Sequence, residues 1–214
     1  MQKNEFKDRK VAPIVALDIG NVCIRVEAEE CAKELGFGSI EEIEKGCPEI
    51  LQMALHLETG AISSGEFLRQ LSPFVKGEVS HELLEEIWNI IIGEEIIGMA
   101  EVVQEIFSLG MTPIFFSNIS DIHFTCIKKK LSFADQIIHC VLSYEVGEVK
   151  PHSTIYEVME NEYCEGGVPA LYLDDKIENI SAGMRRGWNS YQVGDLAGIR
   201  KKLSELEECV NPLH

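Results

Sequence analysis

The sequence predicts an α/β protein built on a doubly wound, largely parallel sheet, with a helical segment inserted after the first strand. Three observations predict it. Short apolar runs rich in β-branched residues recur along the chain, stretches with helical spacing lie between them, and one long region breaks that alternation. A parallel strand pair needs a long crossover, so strands that alternate with helices specify a parallel sheet.

The first run, residues 11–17, ends at Asp18. Residues 26–93 then show helical but no clear strand periodicity, with helices expected over 27–35, 40–45, 50–57, 65–71 and 82–92 and breaks at Gly36 to Gly38, at Gly60 with Ser63 and Ser64, and at Gly77. This stretch reads as an inserted cap, giving a core of residues 1–25 with 94–214 and a cap of residues 26–93. Ile96, Met99, Val103 and Ile106 are spaced for a helix that stops at Gly110, followed by a strand over 112–116. Ser120 is placed to cap a helix through Ile122, Cys126, Ile127 and Leu131, before a strand over 137–142. Ser153 is placed to cap the next helix through Ile155, Val158 and Met159. A strand over 169–173, a helix over 177–184 ending at Gly187, and a strand over 188–193 complete the pattern.

Composition narrows the function classes. A chain of 214 residues is one domain with room for an insertion, and 45% hydrophobic with 26% charged residues excludes the disordered and collagenous classes. Nineteen Lys and Arg against thirty-six Asp and Glu give a net charge of -17, which repels nucleic acid and anionic lipid. Seven cysteines without a C-x-x-C pair suit neither a disulfide framework nor a zinc site, and predict reduced thiols in the cytoplasm. The opening residues carry no cleavage pattern and no later apolar run is long enough to span a membrane, so neither a leader nor a membrane segment is expected.

In an open parallel sheet, ligands bind beyond the carboxyl ends of the strands. The residues found there are Asp18 after the first strand, Ser117 and Asn118 after the second, Lys150 before Pro151 beyond the third, and Asp174 and Asp175 after the fourth. Each has an ordinary reading as a turn residue or a surface lysine; together on one edge they are the parts of a phosphoryl-transfer site. Asp18 supplies a nucleophile that forms an aspartyl phosphate. Two anions repel, so a divalent metal must lie between carboxylate and phosphate, and Asp18 and Asp175 with a backbone carbonyl suit Mg²⁺. Ser117 and the amide of Asn118 are donors for phosphate oxygens, and Lys150 neutralises charge. Lys128 to Lys130 and the pair Arg185 and Arg186 read as solvated faces, the six histidines show no ligand spacing, and Trp88 reads as cap core.

The stretches VALDIGNV ending at Val22, FFSN ending at Asn118, GEVKP ending at Pro151 and LYLDD ending at Asp175 resemble, in order and strand context, the four motifs of the haloacid dehalogenase superfamily. The resemblance spans residues 12–193 and is nearest to phosphatases whose first motif carries Gly-Asn-Val, such as bacterial α-glucose-1-phosphate phosphatases. It implies a Rossmann-like core, an α-helical cap inserted after the first motif, Mg²⁺ dependence and phosphatase action on a small phosphorylated metabolite. It assigns Asp175 as the ligand of the acidic pair and places Asp174 behind it. Two residues depart from the pattern. Gly20 stands where most family phosphatases have a second aspartate; its carbonyl can still bind metal, but it cannot act as acid or base, which predicts a preference for leaving groups that already tolerate negative charge. Asn179 stands where many relatives carry an acidic residue, and is expected to support Asp175 less strongly. A 2-haloacid dehalogenase-type hydrolase and a catalytically silent member that binds a phospho-ligand or protein are the competing readings; the paired aspartates and Gly-Asn-Val argue against the first, and only Gly20 motivates the second.

Overall fold

The computed structural model describes residues 12–210 apart from 76 and 78, so the start of the first predicted strand at Val11 and the N-terminal segment lie outside the described residues. Strand β1 (Ile14–Leu17) is followed by β2 (Ile24–Val26) and then by α1 (Ala28–Glu34), α2 (Ile40–Gly46), α3 (Glu49–Glu58), α4 (Ser64–Leu71) and α5 (His81–Trp88). The chain returns through β3 (Ile92–Glu95), α6 (Met99–Ser108), β4 (Thr112–Ser117), α7 (Asp121–Lys130), β5 (Cys140–Leu142) and α8 (Ser143–Val146). It closes with α9 (Ser153–Tyr163), β6 (Leu171–Asp174), α10 (Ile177–Arg185), β7 (Ser190–Gln192) and α11 (Leu196–Val210).

Five strands form one sheet in the order β5-β4-β1-β6-β7, with every neighbouring pair parallel. Both faces are covered, which is why these strands read as continuous apolar runs. Val15, Leu17, Phe115, Leu171 and Leu173 pack against α6 and α11 through Val102, Ile106, Ile199 and Leu203. Ala16, Ile114, Phe116 and Tyr172 pack on the other face against Ile155, Tyr156 and Met159 of α9 and Ile180 of α10. The helices between β2 and β3 have an apolar cluster of their own around Ile43, Ile50, Leu57, Phe67, Leu84 and Trp88, joined by Ile122 of α7.

Several expectations are corrected. The two passes between the sheet and the helical segment are strands: β2 and β3 pair antiparallel, Val26 opposite Ile92, where the sequence predicted none. They are too short, and too exposed on one side, to show a period. The helix expected through residue 92 is α-helical to Trp88, tightens into a 3₁₀ turn over Asn89–Ile91 and gives way to β3 at Ile92. Residues 137–139 are not strand, and α11 was not anticipated. Ser120 does cap α7, accepting from the His123 N–H, but α9 starts after His152 with no side-chain cap, so Ser153 is not its cap. Arg186 is no solvated charge, since its guanidinium holds Glu160 through two bonds of 2.8 and 2.7 Å. Lys130 donates to the carbonyls of Ile92 and Gly93 and ties α7 to β3. No helix among the described residues is long and apolar enough to cross a membrane.

Candidate active site

Asp18, Ser117 and Asp174 stand at the carboxyl ends of β1, β4 and β6, the three central strands, where the chain crosses from one half of the sheet to the other. That is the switch-point crevice in which such sheets bind ligands. Lys150 is only 3% exposed and spends all three ammonium hydrogens on protein: Asp18 Oδ1 at 2.9 Å, Asp174 Oδ2 at 2.6 Å and the Phe116 carbonyl at 2.7 Å. The Ser117 hydroxyl donates its one hydrogen to Asp18 Oδ1 at 2.8 Å. In this arrangement each holds the Asp18 carboxylate.

Asn118 is likewise occupied. Its side chain accepts from the Lys150 N–H at 2.7 Å and donates to the Lys150 carbonyl at 2.9 Å, fixing the loop that delivers the lysine. Asp174 accepts from Tyr172 Oη at 2.6 Å, from the Lys176 N–H at 2.8 Å and from Asn179 Nδ2 at 3.1 Å. Asn179 therefore supports Asp174 and not Asp175 as expected. Phe116, Tyr156, Tyr172 and Trp188 pack edge-on beneath this network and exclude water from it.

Burial shifts these groups in different directions. It raises the Asp18 carboxyl above the ordinary range, with Lys150 pulling it back and Asp174 pushing it further. Burial would raise Asp174 too, but the Lys150 charge and the hydrogen bonds from Lys150, Tyr172 and the Lys176 N–H outweigh it and hold Asp174 low. Burial alone would lower Lys150; its two carboxylate partners keep it charged.

Two residues that the sequence reading passed over complete the site. Asn21, in the left-handed conformation that asparagine tolerates, donates to Asp175 Oδ2 at 3.0 Å and accepts from the Val26 N–H at 3.2 Å. The Gly-Asn dipeptide was the available signal, as a turn with a side chain free to reach out. Gly20 precedes it without positive φ, and a Cβ there would lie 3.1 Å from Val26 Cγ2. Glu58 is the second. It ends α3 and lines the same cavity of about 340 Å³ as Asp18, Lys150 and Asp175. A carboxylate at a helix C-terminus opposes the helix dipole, and that was its signal.

The site fits a divalent cation. One ligand atom each from Asp18, Asp174 and Asp175 lies within 4.8 Å of the others, and Asp175 Oδ1 is buried without a hydrogen-bond partner. One lysine facing three carboxylates leaves negative charge uncompensated, and hard oxygen donors suit Mg²⁺.

No family model matches the chain. Among curated proteins it is similar to a D-ribitol-5-phosphate phosphatase of Bacteroides thetaiotaomicron, 22% identical over 200 residues, which are 89% of this chain and 96% of that one. Among solved structures it is similar to a haloacid dehalogenase family enzyme of the same organism in complex with magnesium and inorganic phosphate. That match has a TM-score of 0.73 and 19% identity and covers 88% of this chain and 98% of that one. A predicted hydrolase of the same family from Porphyromonas gingivalis matches with a TM-score of 0.70 and 20% identity over 91% and 98% of the two chains. These likenesses establish the fold: a Rossmann-like core of the haloacid dehalogenase type.

Proposed function

We propose that this chain, a member of the haloacid dehalogenase superfamily, is a Mg²⁺-dependent phosphatase of a small phosphorylated metabolite, acting through an aspartyl phosphate on Asp18. The observation that carries the reading is the Asp18 carboxylate held between Lys150 and Ser117, with a carboxylate oxygen of Asp175 within 4.8 Å of one of Asp18. The name of the curated relative supports it, as do the magnesium and phosphate in the solved neighbour.

Asp18, Asp175 and the Gly20 carbonyl would hold Mg²⁺, which when bound supplies charge stabilisation for the transferring phosphoryl group. Asp174, engaged by Lys150, Tyr172 and Asn179, would stand behind the metal ligands and orient Lys150. Lys150 and Ser117 fix the nucleophile against rotation, so that little reorganisation is left for the attack. The Asn118 backbone N–H is the donor proposed for a phosphate oxygen. Residues 26–93 are proposed to act as a cap that closes over the core formed by the remaining residues. The name of the curated relative supports a sugar or polyol phosphate whose anionic end reaches Asp18, in a cavity to which Ile43, Ile50 and Leu51 give one apolar wall. A dehalogenase reading leaves the paired aspartates and their orphaned oxygen without a purpose.

The test is phosphate release over a panel of sugar, polyol and aryl phosphates with Mg²⁺ and with a chelator. Mg²⁺-dependent release from at least one member is expected; none from folded protein overturns the reading.

A further inference from the structure

Gly20 removes the side chain that would protonate the leaving oxygen, yet an alkoxide expelled without a proton is a poor leaving group. The cavity must then supply the proton from elsewhere, and its titratable lining is short. Asp18, Lys150 and Asp175 belong to the nucleophile and the cation site. Cys31 Sγ is bonded to the Ile87 carbonyl, and the His123 ring is stacked on Trp88 with Nε2 at 3.2 Å from the Trp88 carbonyl. Lys176 lines the cavity as a solvent-exposed side chain. Glu58 is the carboxyl group that remains, half-buried on the helical side of the cavity.

We propose that Glu58 is the general acid to the leaving oxygen and then the general base to the attacking water, in the place left empty at Gly20; this rests on the phosphatase reading above. In the first step Asp18 attacks phosphorus, the bond from phosphorus to the leaving oxygen breaks, and the Glu58 proton passes to that oxygen. In the second, the Glu58 carboxylate takes a proton from water, the oxygen of that water bonds to phosphorus, and the bond to Asp18 breaks. Phosphate leaves, and both carboxyl groups return to their starting states.

The backbone around Glu58 is held for such a role. Ser143, fully buried on α8, donates to the Glu58 carbonyl at 2.6 Å and accepts from the Ile119 N–H at 2.9 Å, so the end of α3 is tied to the loop that follows Asn118. Two residues on, Gly60 has φ of +67°, and a Cβ there would press into the Tyr144 carbonyl. The corner that carries Glu58 is therefore seated on the sheet domain itself. Burial raises the Glu58 carboxyl above its usual range; Lys176 opposes this and the Asp18 charge adds to it, which favours the protonated form that an acid needs. The charge placed against the dipole of α3 works in the same direction.

The experiment compares wild type with Glu58→Gln, each with Mg²⁺, on D-ribitol 5-phosphate, an alkyl ester, and on 4-nitrophenyl phosphate, whose leaving group needs no proton. Loss of about 10² to 10⁴-fold in kcat on the alkyl ester, with a loss at least about tenfold smaller on the aryl ester, is expected. Glu58→Asp should recover part of the alkyl rate, because it restores the carboxyl. Equal losses on both esters, or none, overturn the role of Glu58 and leave the phosphatase reading standing, as does a wild type that hydrolyses only the aryl ester. A folded wild type that releases phosphate from neither ester nor from any other member of the sugar, polyol and aryl phosphate panel removes the phosphatase reading and Glu58 with it.

Discussion

Lys150 has no donor left over, because Asp18, Asp174 and the Phe116 carbonyl take all three. Its removal acts on stability as well as on rate. Lys150→Ala strands two buried carboxylates without a counterion, and breaking such a pair costs about 3–5 kcal/mol. The variant should melt well below wild type in the absence of metal, and Mg²⁺ should raise its melting temperature by more than it raises that of wild type; equal responses in the two proteins would show that Lys150 does not balance this cluster. Asp18→Asn behaves differently. The amide keeps the shape of the carboxylate but is a poor nucleophile. Phosphate release should fall to background while the protein still unfolds in one cooperative transition, and retained turnover would take Asp18 out of its role.

At the scale of elements, the end of α3 and the start of α7 decide how the helical segment sits on the sheet. Gly60→Ala forces a side chain into the left-handed region, at about 1–2 kcal/mol, and also against the Tyr144 carbonyl. A lower melting temperature is expected, with a larger loss of kcat on alkyl than on aryl phosphates, because the corner carrying Glu58 moves. α7 contributes His123, whose pKa burial depresses to about 4, opposed by the Trp88 carbonyl and by Asp121. Its unfolded value is about 6.5, so protons bind the unfolded chain more tightly. The stability that neutral His123 contributes is complete above about pH 6.5, is lost as pH falls towards 4 and changes no further below that, about 3 kcal/mol in all. Melting temperatures of wild type and His123→Phe across this range check it: the variant should fall less steeply, and parallel curves would assign the loss to other groups.

On the scale of the whole molecule, two apolar clusters, one in the sheet domain and one among α1 to α5, enclose the cavity between them. A phosphate mimic that needs both the metal and the nucleophile reports whether that enclosure is assembled. Beryllium fluoride with Mg²⁺ at about 100 times its Kd adds about 2.7 kcal/mol of stability, or roughly 5–10 °C for a chain of this size. Thermal melts should show this rise with both components, over and above that given by Mg²⁺ alone and with none from beryllium fluoride alone, and the additional rise should be absent in Asp18→Asn. A shift of the same size in that variant would place the mimic elsewhere.

The fold class and the edge on which the chemistry gathers were legible in the sequence, because both depend on local pattern. Buried parallel strands are continuous apolar runs, helices show their spacing, and the polar residues directly after strands share one edge of the sheet. Asp18, Ser117, Lys150, Asp174 and Asp175 are therefore readable as neighbours on one edge, and the structure brings them together there. What each side chain touches is not readable in that way. Lys150 meets Asp18 across 132 positions and Asn21 meets Asp175 across 154, and no local period records contacts of that range. Only the packed chain assigns Asn179 to Asp174, spends the hydrogens of Ser117 and Lys150 on protein acceptors, and pairs β2 with β3. It alone brings Glu58 to the cavity of Asp18, since the direction of a helix end is set by what it docks against, here Ser143 and the glycine at position 60.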